Sequence, residues 1–165
     1  MKLLILFILV LRGLLTVCVA QQADISPDLK VTALKDAACT KPDEGQDPTV
    51  TTAMIHAGGR DAGTIVQIAG ACHCEQTNCD ALVYLRSGDG YKLALHEKYA
   101  SLHTMKIVKL GMPSLTGKFE INASKMETTV YDWDGKTYRP SLCATVIKGK
   151  KVPSITRHPC RQAAP

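Results

Sequence analysis

From Thr49 onward the sequence is a series of short runs rich in Val, Ile, Thr and Tyr, separated by turns that contain glycine. Runs of this kind are typical of antiparallel β-strands in a meander. They mix apolar with polar residues, so we expect one face of the sheet to pack on a core or a helix and the other to face water. The candidate strands are 49–56, 64–70, 81–86, 91–96, 103–109, 117–122, 126–133 and 137–146.

Two connections in this region resemble hairpin turns. Asp134-Gly135 lies between Val130–Trp133 and Lys136–Arg139, and Asp-Gly supplies the positive φ angles that a two-residue hairpin requires. The sequence therefore predicts a two-residue turn that pairs these two segments. Ser87–Gly90 has the composition to form a similar turn between its flanking strands.

A short helix is predicted before the strands, over residues 26–38. Ser26-Pro27-Asp28 places an N-cap residue, a proline and an acid in the order that helix starts favour. Apolar residues then recur at helical spacing, and residues 40–48 form a polar loop with two prolines. The predicted fold class is α+β, mostly β. The recurring apolar residues are Leu29, Ala33, Leu34 and Ala37.

The first twenty residues have the pattern of an export signal. An apolar run follows Lys2, and the stretch ends in Cys18-Val19-Ala20, which suits signal peptidase. Arg12 interrupts the apolar run, which favours a cleaved signal over a membrane anchor. We therefore expect a signal peptide at 1–20 and one domain at 21–165, exported to the periplasm or secreted, with no membrane span after processing.

Lipid attachment at Cys18 is an alternative, because Leu15-Thr16-Val17-Cys18 has some likeness to a bacterial lipobox. Val17 stands where that box has Gly, Ala or Ser.

Charge and motifs narrow the function classes. Without Lys2 and Arg12, 18 basic residues face 15 acidic ones, a mild excess of three. The Lys148–Lys151 cluster is too short for the basic stripe of a nucleic-acid binder. No nucleophile elbow, phosphate-binding glycine loop or zinc-protease motif is present. We expect a binding protein without a cofactor, not an enzyme.

The cysteines predict a disulfide framework. Of the seven cysteines, six remain once Cys18 is removed, and an even number behind an export signal is typical of disulfide pairing. Cys72 and Cys74 are two apart, would point to opposite sides of a strand, and should bond to different partners. Cys74 and Cys79 could close a small loop, while Cys143 and Cys160 could tie the tail to a strand. The six are Cys39, Cys72, Cys74, Cys79, Cys143 and Cys160.

The segment Cys72–Cys79 also allows a metal interpretation, because it combines thiols with the imidazole of His73. Thiols pair in an oxidising compartment, and no second cysteine pair at finger-like spacing is present, so disulfides are favoured over a metal site. The other histidines are scattered, and only their convergence on His73 would favour a ligand role. They are His56, His96, His103 and His158.

The region around this segment resembles the inhibitor of vertebrate lysozyme family. The resemblance consists of a strand at Thr64–Ile68, the loop Cys74-x-x-x-x-Cys79, and strands at Ala81–Leu85 and Tyr91–Leu95. It implies a periplasmic protein with helices packed on an antiparallel sheet, and a rigid disulfide loop that plugs the lysozyme cleft. This chain has Thr77 and Asn78 where the family loop has His and Asp.

The functional hypothesis is a small exported binding protein, with a lysozyme as a candidate partner. Its contact surface would be Glu75, Gln76, Thr77 and Asn78, with His73 at the base as the side chain that reaches a carboxylate of the partner. Two alternatives remain open at this stage: a periplasmic protein that handles metal through His73 and the neighbouring thiols, or a structural envelope domain without a ligand.

Overall fold

A computed structural model describes residues 26–38, 47–148 and 153–160 of the protein. The predicted signal peptide with Cys18, the cysteine at position 39, and positions 40–46 of the predicted loop lie outside these ranges. No helix within these ranges is long and apolar enough to cross a membrane.

The described chain is mostly β, as the sequence predicts, with one short helix ahead of the strands. The helix α1 spans Pro27–Asp36. The predicted strands are all present, most of them longer than their apolar runs, and two short strands were not predicted. The strands are β1 Thr49–Ala57, β2 Arg60–Ala69, β3 Cys74–Glu75, β4 Asn78–Ser87, β5 Gly90–Tyr99, β6 Ser101–Lys109, β7 Met112–Asn122, β8 Lys125–Trp133, β9 Tyr138–Ile147 and β10 Ser154–His158.

The strands divide between two five-stranded antiparallel sheets. In the first sheet the order is β1-β2-β4-β5, and β3 pairs with the first two residues of β4. The second sheet is a meander in the order β10-β9-β8-β7-β6. The chain passes from one sheet to the other at Ala100, whose backbone N–H donates to the carbonyl of Lys118 in β7.

Strand alternation gives the first sheet two apolar faces, so the prediction that one face of the sheet is exposed to water is wrong for this sheet. Ile65 and Val83 point to a core shared with Leu115 and other side chains of the second sheet. Val66 and Leu82, each one residue away, point to the helix instead. Because successive side chains of a strand alternate between faces, a continuous apolar run lets a sheet carry a second sheet on one side and a helix on the other.

The helix buries Leu29 and Ala33, which lie four residues apart and therefore on one face. Its last residue, Asp36, accepts a hydrogen bond of 2.8 Å from the hydroxyl of Tyr84 in β4. Burial and the Asp36 carboxylate together raise the pKa of Tyr84. This contact fixes the C-terminal end of α1 on the sheet.

The predicted two-residue turn at Asp134-Gly135 is wrong in its register. Trp133 pairs with Tyr138, so the connection contains four residues, 134–137. The Asp134 side chain accepts hydrogen bonds of 2.8 Å from the backbone N–H groups of both Lys136 and Thr137. A short polar side chain that bonds to its own turn in this way favours the longer loop, while Gly135 still takes a positive φ of 98°.

Two predicted disulfides are present, Cys74–Cys79 and Cys143–Cys160. Cys72 is also disulfide-bonded. Since Cys74 is bonded to Cys79, Cys72 and Cys74 have different partners, as predicted. The Cys143–Cys160 bridge links β9 to the segment that follows β10, and it therefore holds an edge strand whose Ile155 is 63% exposed. These bridges are consistent with an oxidising compartment.

Candidate functional site at the disulfide loop

The disulfide loop, residues 74–79, is a tight hairpin. Cys74 pairs with Cys79 and Glu75 pairs with Asn78 across the ladder, which leaves Gln76 and Thr77 as the two turn residues. Gln76 has a φ of 58°, the left-handed conformation that two-residue hairpin turns use. The disulfide closes the base of the same hairpin.

Asn78 ties this hairpin to the second sheet. Its side-chain amide donates to the backbone carbonyl of Glu120 at 2.8 Å, and the backbone N–H of Glu120 donates to the Asn78 side-chain oxygen at 2.7 Å. Both polar ends of the amide are thus satisfied by one residue of β7. Asn78 is only 2% exposed, so its predicted role in a contact surface is wrong. It braces the loop from inside.

The exposed part of the loop is its tip, which we define as Glu75, Gln76 and Thr77. The Glu75 side chain is 70% exposed and lies 3.6 Å from the ammonium of Lys98. Thr77 donates a hydrogen bond of 2.9 Å to the carboxylate of Glu120. This hydrogen bond and the nearby Lys148 lower the pKa of Glu120. The tip therefore presents a carboxylate, an amide and a hydroxyl on a fixed backbone, and the Glu120 carboxylate of β7 lies beside it.

His73 was predicted to lie at the base of the contact surface, but it is not at the protein surface. It is 5% exposed, and its Nδ1 lies 2.9 Å from a carboxylate oxygen of Asp80. The backbone N–H of Asp80 also donates to the His73 carbonyl. The carboxylate that His73 reaches belongs to its own chain. Because His73 is buried, its predicted role of reaching a carboxylate of the partner is wrong.

His96 shares the same carboxylate. Its Nε2 lies 3.3 Å from the other oxygen of Asp80, and 35% of its side chain is exposed. Two histidines therefore converge on one buried aspartate, a cluster that the sequence pattern does not indicate, since the predicted strand at 81–86 leaves Asp80 out. Within the described ranges no group of three or more His, Cys, Asp or Glu residues is arranged to hold a metal ion. The neighbouring cysteines are in disulfides and offer no thiolate ligand.

Comparisons with known proteins gave no match to a protein-family model, to a curated protein or to a solved structure.

Proposed function

We propose that this chain is an exported binding protein that recognises a protein partner through the tip of its disulfide loop, and that an animal-type lysozyme is the first partner to test. The observation that carries the proposal is that the loop is fixed by a disulfide and by Asn78 while its tip side chains stay exposed. The choice of lysozyme rests on the local resemblance of the loop region to the lysozyme-inhibitor family.

Rigidity is the physical support for a binding role. Ordering a mobile surface segment on association costs free energy for each side chain and backbone unit that is immobilised. Here the Cys74–Cys79 bridge and the bonds between Asn78 and Glu120 fix the backbone before any partner arrives. A tip of this kind keeps more of its contact energy as affinity.

Two carboxylates at or beside the tip give a cationic partner groups to pair with, even though the whole chain is mildly basic. Among the described residues, Glu75 is paired with Lys98 and Glu120 with Lys148, and both lysines are exposed or half-exposed. Exposed ion pairs contribute little, so a partner's basic groups can compete for these carboxylates. Animal-type lysozymes are cationic, and complementary charge accelerates encounter.

The direct test is a lysozyme inhibition assay with the mature protein and three variants. Glu75→Ala removes one tip carboxylate, and Gln76→Gly removes a tip side chain while it keeps a backbone that accepts positive φ. Asp89→Ala is the matched control, because it removes one exposed carboxylate at the turn beyond the opposite end of β4.

We expect the wild type to inhibit at micromolar concentration, both tip variants to weaken inhibition by about tenfold or more, and the control to match the wild type. The proposed partner is wrong if the wild type does not inhibit. If the tip variants inhibit as well as the wild type, the tip is not the contact surface.

A further inference from the structure

A cleft of about 800 Å³ lies between the edge strand β5 of the first sheet and strands β8 and β9 of the second. Its size is that of a small-molecule site, for which about 300–1,000 Å³ is usual. It contains none of the three tip residues of the disulfide loop. We call it the edge cleft, and the lining residues used below are Glu97, Tyr99, Phe119, Glu127 and Tyr131.

Aromatic rings form a rigid wall of the edge cleft. Tyr99 and Tyr131 meet edge to face, with ring centroids 6.3 Å apart, and their hydroxyls are hydrogen-bonded to each other. Tyr99 packs closely on Gly117, where an added Cβ would lie 2.6 Å from the ring. Phe119, two residues further along β7, adds a third ring. These rings are held in place before any ligand enters.

Two half-buried carboxylates face this wall. Glu97 on β5 and Glu127 on β8 both lie close enough to the tyrosine pair to help raise the pKa of Tyr131, after burial and the bond to Tyr99. Burial raises the pKa of Glu97 itself, and His96 partly opposes this. Lys98 and His96 also line the cleft, but they are paired with Glu75 and Asp80, and in the part of the chain that the structure describes neither Glu97 nor Glu127 has a Lys, Arg or His nitrogen within 4.0 Å.

We infer that the edge cleft binds a small organic cation, with its ammonium group between Glu97 and Glu127 and its apolar body against the aromatic wall. Half-buried negative charge is costly unless a positive charge accompanies it. Tyr99 and Tyr131 are each only 5% exposed, so Phe119, the partly exposed ring of the three, is the one that can add the attraction of an aromatic face for an ammonium group. A bare divalent metal fits less well, since Ca²⁺ takes six to eight oxygen ligands and the described residues hold no metal-ligand cluster.

The inference is tested with a charged probe and its neutral isostere. Isothermal titration calorimetry would compare 1,4-diaminobutane, which carries two ammonium groups, with 1,4-butanediol, which has hydroxyls in their place. The proteins are the wild type, Glu97→Gln, Glu127→Gln and the matched control Asp89→Asn, which removes one exposed carboxylate in the turn between β4 and β5, outside the cleft. Thermal melting of each variant checks that it is folded.

We expect saturable binding of the diamine and none of the diol, with about tenfold weaker binding or more in Glu97→Gln and Glu127→Gln. Asp89→Asn should bind as the wild type does. Equal binding of diamine and diol, no diamine binding at millimolar concentration, or full binding by both cleft variants would each overturn the inference. These outcomes do not depend on the lysozyme assay, because the cleft and the loop tip share no residue.

Discussion

Buried polar side chains decide how the loop region is held. Asn78, Asp80 and His73 are each at most 5% exposed, and each has a hydrogen-bonding partner. Among the described residues no buried side-chain nitrogen or oxygen is left without a partner. A buried polar group contributes most when its loss would leave another group unsatisfied. Asn78 is such a group, because it satisfies both backbone polar atoms of Glu120.

Replacing Asn78 by alanine should therefore destabilise the protein. Asn78→Ala removes two hydrogen bonds and leaves the N–H and C=O of Glu120 without these partners, so we expect a loss of about 1–3 kcal/mol in the free energy of unfolding. Urea denaturation measures this. Thr77→Ala, which removes only an exposed hydrogen bond to the same residue, should cost less than about 1 kcal/mol. Equal losses in the two variants would refute the bracing role of Asn78.

The sequence showed which residues of this region are polar but not which are buried. The predicted strand begins at residue 81, whereas β4 begins at Asn78, so the prediction leaves Asn78 and Asp80 out of the strand. Nothing in the local pattern could reveal Glu120 as the partner of Asn78, because the two are 42 residues apart and meet only when the sheets pack. The small disulfide could be predicted, because cysteine spacing is a local signal.

For the hairpin turn at Asp134-Gly135, too, the local sequence predicts one feature correctly and another wrongly. Asp134-Gly135 correctly marked a connection with positive φ at glycine. Its length was wrong, because the Asp134 side chain bonds to two backbone N–H groups and so stabilises a four-residue loop. These bonds from Thr137 and Lys136, and the contact with Arg139, lower the pKa of Asp134 from 3.8 to about 2.

This pKa gives the loop a pH-dependent contribution to stability. The folded-state pKa is lower than the unfolded one, so the contribution is present above about pH 4 and is lost as the pH falls toward about 2. Asp134→Asn keeps an acceptor oxygen but cannot ionise. Its urea midpoint should therefore fall less than that of the wild type over this range.

Asp89→Asn, in another hairpin turn, is the control and should follow the wild type. If Asp134→Asn and the wild type lose stability in parallel between pH 4 and pH 2, the carboxylate does not carry this dependence.

The pattern of strands in the sequence could not predict that they form two separate sheets. Alternation of apolar and polar residues shows that a segment is a strand and which side chains share a face, but not which strands share a sheet. The sheets separate at Ala100, a position with no turn signal of its own. Strand β10 was missed because it is short and its Ile155 is exposed, so it has no apolar face to detect.

The Cys74–Cys79 and Cys143–Cys160 disulfides have different structural roles. Cys143–Cys160 spans 17 positions and holds an edge strand, whereas Cys74–Cys79 spans 5 and closes the loop whose tip we propose as the binding surface. Chain-entropy arguments give about 3 kcal/mol of stabilisation for the longer loop and about 2 kcal/mol for the shorter. The Cys143–Cys160 bridge therefore contributes more to stability. The Cys74–Cys79 bridge is better explained by fixing the loop before it binds a partner.

The most direct test measures lysozyme affinity by calorimetry, with melting temperatures alongside, for the wild type and two double variants. We expect Cys74→Ser/Cys79→Ser to bind about tenfold more weakly or worse, although it loses less stability. Cys143→Ser/Cys160→Ser should lose more stability and keep the affinity of the wild type. Unchanged affinity without the Cys74–Cys79 bridge, or no binding by the wild type, would contradict the claim that the braced loop is the binding surface for lysozyme.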